Sequence, residues 1–145
     1  MLDGNFIAGF AAGEGCFHIS VVGKRPQVRA MFTIQLRADD VMVLEQIRDT
    51  FGCGNVTVYE RKSGSPIACF RVGNLPDLVN IIIPFFEKYP LMAKKQTDFD
   101  IFKNICWMMV RKEHLTDDGI AIIKSYKEYM NIGYVDDVRE LCVDD

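Results

Sequence analysis

Cysteine pairs at metal-binding spacing are missing from this chain. The five cysteines stand at Cys16, Cys53, Cys69, Cys106 and Cys142, and no two of them form a CxxC step, which argues against a zinc site. Their odd number and lack of pattern imply reduced thiols in an intracellular compartment, most of them acting as small buried hydrophobes. Long apolar runs are missing too. Stretches such as Ile81–Phe86 fall far short of the ~20 residues that a membrane-spanning helix needs, so no membrane partner is expected. The acidic start, MLDGNF, does not read as a secretion signal. Neither a low-complexity tract nor a linker divides the chain, and one domain over residues 1–145 is expected. With 49% apolar residues, that domain has the material for a core.

Acidic residues are unevenly scarce. The net charge is −3, which by itself disfavours a nucleic-acid partner. From Gly15 to Gly73, however, eight Lys/Arg stand against five Asp/Glu, and from Asn74 onward nine stand against thirteen. The stretch 17–38 carries Lys24, Arg25, Arg29 and Arg37 and no acid at all. A basic region on an acidic chain marks a binding surface for an anion or, more simply, a solvated strand face.

Periodicity supplies the elements. Asn5 is expected to cap a short helix over about Phe6–Gly13. In CFHISVV, Phe17, Ile19 and Val21 alternate with His18, Ser20 and Val22, and after the GKRP turn QVRAMFTIQLR alternates again, so the two form a hairpin. DDVMVLEQIRDTFGCG predicts an amphipathic helix capped by Asp39 or Asp40, with Val43, Leu44, Ile47 and Phe51 inward and Gly52 or Gly54 as its stop. NVTVYE and IACFRV give a second hairpin. A helix in LPDLVNIIIPFF is expected to stop near Pro84. A longer one follows in AKKQTDFDIFKNICWMMV, with Phe99, Phe102, Ile105, Cys106 and Met109 inward and Trp107 in the core. Thr116 is expected to cap a last helix ending at Asn131, with a short acidic helix beyond it. The order αββαββα plus further helices implies an α+β fold: one sheet from two hairpins, helices on one side, the other side open.

The polar side of the four strands gathers His18, Ser20, Lys24, Gln27, Arg29, Thr33, Gln35, Asn55, Thr57, Tyr59, Arg61 and Arg71, with Arg37 at the strand end. These are donors and acceptors of the kind that read base edges and hold phosphates, almost without a carboxylate. Exposed antiparallel faces are polar in any case, but they ordinarily mix both charge signs.

AGFAAGEGCF then poses its own question. Small residues recur at helical spacing: Ala8, Gly9, Ala12 and Gly13 share one helix face, which permits close helix–helix approach. So poor a helix must be held by packing, and the same helix of a second copy is the natural partner. Each copy would bring Glu14 beside its partner's Glu14, a pair that repels unless a cation lies between. Hard oxygen ligands suit Mg²⁺, which can activate water and stabilise the leaving oxygen of a phosphodiester. The plainer alternative is a helix-to-strand turn with an exposed glutamate.

The segment FIAGFAAGEGCF resembles the LAGLIDADG motif of homing endonucleases, in the variant whose last acid is Glu. FTIQLRADD, FGCGNV, IIIPFFEKYPLMAKK and KEHLTDDGIAIIKSYKEYMN are similar to the organellar intron-encoded branch, so the likeness runs over about Asn5–Asn131. The resemblance implies an αββαββα core with an antiparallel saddle-shaped sheet on the DNA major groove, C-terminal helices, and motif helices packed at a central axis. It implies Glu14 as metal ligand with the Gly13 carbonyl assisting, Ala12 standing where the family often has a further acid. Mg²⁺ or Mn²⁺ would support cleavage, and Ca²⁺ would bind without supporting it. A water-positioning glutamine is common near the end of the second strand. Here that place is Leu36, flanked by Gln35 and Arg37, so Gln35 is the candidate. Lys95, with Lys94 second, is the basic residue expected to stabilise the transition state or orient water. His114 reads as structural and His18 as a DNA contact.

One motif gives one glutamate per chain, so the resemblance implies a homodimer cutting double-stranded DNA at a long, near-palindromic site. An intron RNA maturase, with intron RNA as partner, or a non-cleaving DNA-binding regulator would use the same fold. An isolated half of a two-motif enzyme would have the same sequence features. An organelle (mitochondrion or chloroplast) or a prokaryotic cytoplasm fits such a protein.

Overall fold

The computed structural model describes residues 1–131; the expected acidic tail helix and Cys142 lie outside the described residues. Helix α1 (Gly4–Glu14) runs directly into strand β1 (Gly15–Val22), which turns into β2 (Gln27–Arg37). A 3₁₀ turn, Ala38–Asp40, leads to α2 (Val41–Phe51), and the second hairpin follows as β3 (Asn55–Tyr59) and β4 (Ile67–Val72). A short α3 (Leu75–Asp77), a π-helical turn Leu78–Ile82 and α4 (Ile83–Lys88) form one nearly continuous rod. The long α5 (Lys94–Val110) and α6 (Asp117–Lys127) complete the order. No described helix is long and apolar enough to cross a membrane.

The four strands form one antiparallel sheet in the order β1-β2-β4-β3. Register decides its faces. Phe17, Ile19, Phe32, Ile34, Ala68, Phe70 and Val72 all project to one side and are buried there against Ile7, Leu44, Ile47, Phe86, Phe99 and Phe102. Phe17 is the hub of this core, with ring centroids 4.9–5.6 Å from Phe32, Phe86, Phe99 and Phe102. Edge-to-face and tilted rings at these separations contribute about 0.5–1.5 kcal/mol per pair beyond the area they bury.

Several local expectations needed correction. The N-cap of α1 is Asp3, whose carboxylate accepts from the N–H groups of Asn5 and Phe6, so Asn5 is inside the helix. Asp40 occupies the cap position of α2 without a side-chain cap bond, because the 3₁₀ turn already orders the entry. The rod over residues 75–88 does not stop at Pro84. The wide turn before it lets the proline take an early position in α4, where no N–H is required. On α5 Met108 is buried and Met109 only half-buried, while Trp107 is 38% exposed rather than core. Thr116 caps α6 by accepting from Gly119, and Gly52, at φ 75°, closes α2.

Candidate nuclease site and nucleic-acid interface

The passage from α1 into β1 has no loop. The Gly15 N–H donates to the Ala11 carbonyl, and Glu14 is the last helical residue, with Gly15 already extended. Only glycine fits there: a Cβ on Gly15 would sit 2.7 Å from the Ala11 carbonyl oxygen. Glu14 is exposed at this corner. From the opposite side α5 delivers Lys95, which is 3% exposed and whose Nζ donates to the Gly15 carbonyl at 2.5 Å. Lys94, the second candidate, is exposed at the start of the same helix. A buried cation thus lies against the peptide that follows the exposed carboxylate.

Gln35 belongs to the same corner. Gly15 pairs with Ile34 on β2, so Gln35 is one residue further, half-buried on the outward face, while Leu36 packs against the core. Among the described residues no three His, Cys, Asp or Glu side chains cluster as a metal cage. One carboxylate and the neighbouring Gly13 carbonyl fit Mg²⁺, which keeps waters and takes one or two carboxylates plus substrate phosphates rather than a full protein cage.

Register also assembles the outward face. Ser20 pairs with Arg29 and Gln27 with Val22; Thr33 pairs with Arg71, and Arg71 in turn with Asn55; Thr57 and Gln35 flank Cys69, and Tyr59 and Arg37 flank Ile67. His18 is on this face opposite Met31. No strand position on the face carries an Asp or Glu. Two expected contacts are corrected by burial. His18 is 9% and Thr33 1% exposed, in the middle of the face among Met31 and Cys69, which are also buried. The accessible donors therefore lie around them. Lys24 is in the β1–β2 turn, and Arg61 is in the β3–β4 loop rather than on a strand, its Nε donating to the Ser65 carbonyl at 3.0 Å. Arg37 pairs with Asp39 at 3.1 Å, both largely exposed.

The small-residue face of α1 is divided. Ala8 is 5% exposed and belongs to the core stripe with Ile7 and Ala11, so it is not available to a partner. Gly9 and Gly13 are exposed, a Cβ on either would meet nothing within 4 Å, and Ala12 is half-buried between them. Phe6, 48% exposed and stacked on Phe10, continues the exposed side. His114 is half-buried in a 3₁₀ turn, Glu113–Leu115, between α5 and α6, and the thiols of Cys53 and Cys106 are pushed up by burial to about 11 and about 12. Sequence reasoning missed Asp98 and Asn131, both buried beside β1. For Asp98 a signal existed: Lys95 and Asp98 interrupt an otherwise apolar helical stripe.

The LAGLIDADG endonuclease model matches residues 7–106, which takes in the helix–strand corner, both hairpins and Lys95. The chain belongs to the LAGLIDADG endonuclease family. It is 39% identical over 122 residues to an uncharacterised 50.9 kDa protein in ND4 intron 1 of Podospora anserina, covering 79% of this chain and 26% of that one. It is 32% identical to probable intron-encoded endonuclease 2 of Neurospora crassa, over 86% of this chain and 26% of the relative. The chain thus spans about a quarter of these curated relatives. Among solved LAGLIDADG structures, I-SmaMI bound to cleaved DNA superposes with a TM-score of 0.83 at 31% identity, over 99% of this chain and 49% of that one. The homing endonuclease I-TnaI superposes with a TM-score of 0.81 at 35% identity, over 96% of this chain and 95% of its own.

Proposed function

We propose that this chain is a divalent-metal-dependent endonuclease that cuts double-stranded DNA at a long, near-palindromic site as a homodimer. The observation that carries the reading is the corner at Glu14: an exposed carboxylate beside a buried lysine, at one end of a sheet face whose strand positions lack acids. I-SmaMI has been solved bound to cleaved DNA and bound to its uncleaved DNA target in the presence of calcium ions, which supports the substrate and the use of a divalent cation. The likeness to the homing endonuclease I-TnaI over 95% of its chain supports the endonuclease reading.

In this reading the sheet lies in the major groove. The eleven residues of β2 extend about 36 Å, or about ten base pairs at 3.4 Å each. Ser20, Gln27, Arg29, Asn55, Thr57 and Arg71 meet base edges and phosphates. Gly9 and Gly13 let two α1 helices approach, which brings two Glu14 carboxylates to the dimer axis. Glu14 and the Gly13 carbonyl would hold Mg²⁺, which would supply Lewis-acid stabilisation. Gln35 orients the attacking water. Lys95 places a positive charge behind the corner, where it favours the growing negative charge on the phosphate. The water oxygen bonds to phosphorus as the bond to the leaving sugar oxygen breaks. The intron-borne relatives support a reading in which this work is done inside the cell, on an organellar or prokaryotic genome.

The test is cleavage of a randomised palindromic DNA library with Mg²⁺, with Glu14→Gln alongside and the protein sized in the same buffer. Cutting by a wild-type dimer, reduced about a hundredfold or more in Glu14→Gln with DNA binding kept, is the expected outcome. Binding without cutting by a folded dimer would replace this reading with a maturase or a regulator.

A further inference from the structure

Three polar residues that the fold buries converge on one strand edge. Among the described residues β1 is the outer strand of the sheet, paired with β2 on one side only. Carbonyls two residues apart on a strand point the same way, and those of Gly15 and Phe17 are met by side chains rather than by a strand. Lys95 Nζ donates to the Gly15 carbonyl. Asn131 Nδ2 donates to the Phe17 carbonyl at 2.9 Å, and the Asn131 N–H donates to Asp98 Oδ1 at 2.9 Å. These residues are 3%, 6% and 0% exposed for Lys95, Asn131 and Asp98.

The chemistry of the trio is coherent. Lys95 and Asp98 are three residues apart on α5, on the face that buries Phe99 and Phe102, so one helix face brings a cation and an anion to the same edge. The second Asp98 oxygen, Oδ2, is buried without a hydrogen bond among the described residues. Asn131 adopts φ 55°, a left-handed conformation that asparagine tolerates better than most residues.

We propose that Asp98 and Asn131 are positioning residues of the nuclease site: with Lys95 they clamp the free edge of β1 and so fix where Glu14 stands. This rests on the reading of Glu14 as the metal-holding acid. Glu14 is joined to Gly15 by one peptide, and the same Gly15 is held on its other side by Ala11. A clamp on the Gly15 and Phe17 carbonyls therefore sets the backbone from which the Glu14 carboxylate extends. A displacement of about 1 Å at a reacting centre costs roughly a hundredfold in rate.

The experiment compares wild type, Asn131→Gly, Asp98→Asn and Glu14→Gln. Asn131→Gly keeps the left-handed backbone easy and removes the donor; Asp98→Asn keeps the shape and removes the charge. Hydrogen exchange followed by mass spectrometry needs no DNA. Exchange over Gly15–Val22 is expected to quicken about tenfold or more in both variants, with the β3–β4 hairpin unchanged. Single-turnover cleavage of the selected site is expected to slow about tenfold or more, while the dissociation constant for that DNA, measured with Ca²⁺, stays within about twofold. Exchange that rises uniformly along the chain, or that does not change, would overturn the clamp. A Glu14→Gln protein that cannot cut beside an Asn131→Gly protein that cuts at the wild-type rate would overturn the positioning role alone. Cutting by Glu14→Gln, or none by wild type, would instead remove the underlying reading of Glu14, and the exchange data would still judge the clamp.

Discussion

Gly15 and Ala11 are in such close approach that the site corner has room for no side chain. A Cβ on Gly15 would lie 2.7 Å from the Ala11 carbonyl oxygen and 3.2 Å from its Cα, both backbone atoms that cannot swing away. Gly15→Ala is therefore expected to lose about 1–3 kcal/mol of stability, the ordinary cost of overpacking. Because the relief must come from moving α1 against β1, cleavage should fall further than the loss of folded protein explains. Urea unfolding with cleavage of the same preparation checks both; an unchanged midpoint with full activity would refute the prediction.

Gly9 makes the opposite case. It is exposed on α1 and surrounded by open space within the chain, and leucine is a better helix former than glycine by roughly half a kcal/mol or more. Gly9→Leu is thus expected to fold with full helical content yet to lose self-association, since the bulk would hold two α1 helices apart. Sedimentation beside circular dichroism measures this. A Gly9→Leu protein that remains dimeric would place the dimer contact elsewhere.

Arg29 and Asp39 should act on DNA binding with opposite signs. Arg29 is exposed on the outward face opposite Ser20, whereas Arg37 is held by Asp39 at 3.1 Å. If Arg29 meets a phosphate, Arg29→Ala lowers the slope of log K against log salt by about 0.9, and Asp39→Asn, by freeing Arg37, raises it by a similar amount. Binding titrations at several salt concentrations decide the matter, and slopes that do not move would assign both residues to solvent.

The thiol of Cys106 makes a prediction about alkali. Burial pushes it from 9.0 up to about 12, so the unfolded chain gives up this proton before the folded one does. The stabilisation is intact below about pH 9 and is lost as pH rises towards 12. Between pH 9 and 11 wild type is expected to lose stability more steeply than Cys106→Ala, by up to about 1.4 kcal/mol per pH unit. Parallel pH profiles from urea unfolding would contradict it.

What the sequence determined is what local periodicity can encode. Strand alternation through Phe17, Ile19, Phe32 and Phe70 already divides an apolar side from a polar side, and the register leaves that division intact. The small-residue run ending in Glu14 marked the corner, because helix spacing and an abrupt glycine are written in adjacent residues. Tertiary structure decided the rest. Lys95 reaches Gly15 across 80 residues of chain, Asn131 reaches Phe17 across 114 and Asp98 across 33, and no periodicity of either segment names its partner. The same holds for burial within a face. Ala8 turns inward beside exposed Gly9, and Thr33 is inaccessible where Arg29 is exposed. Which small or polar residue a face hides depends on neighbours brought from distant parts of the chain, and solvent exclusion is a property of that assembled surface rather than of any one strand or helix.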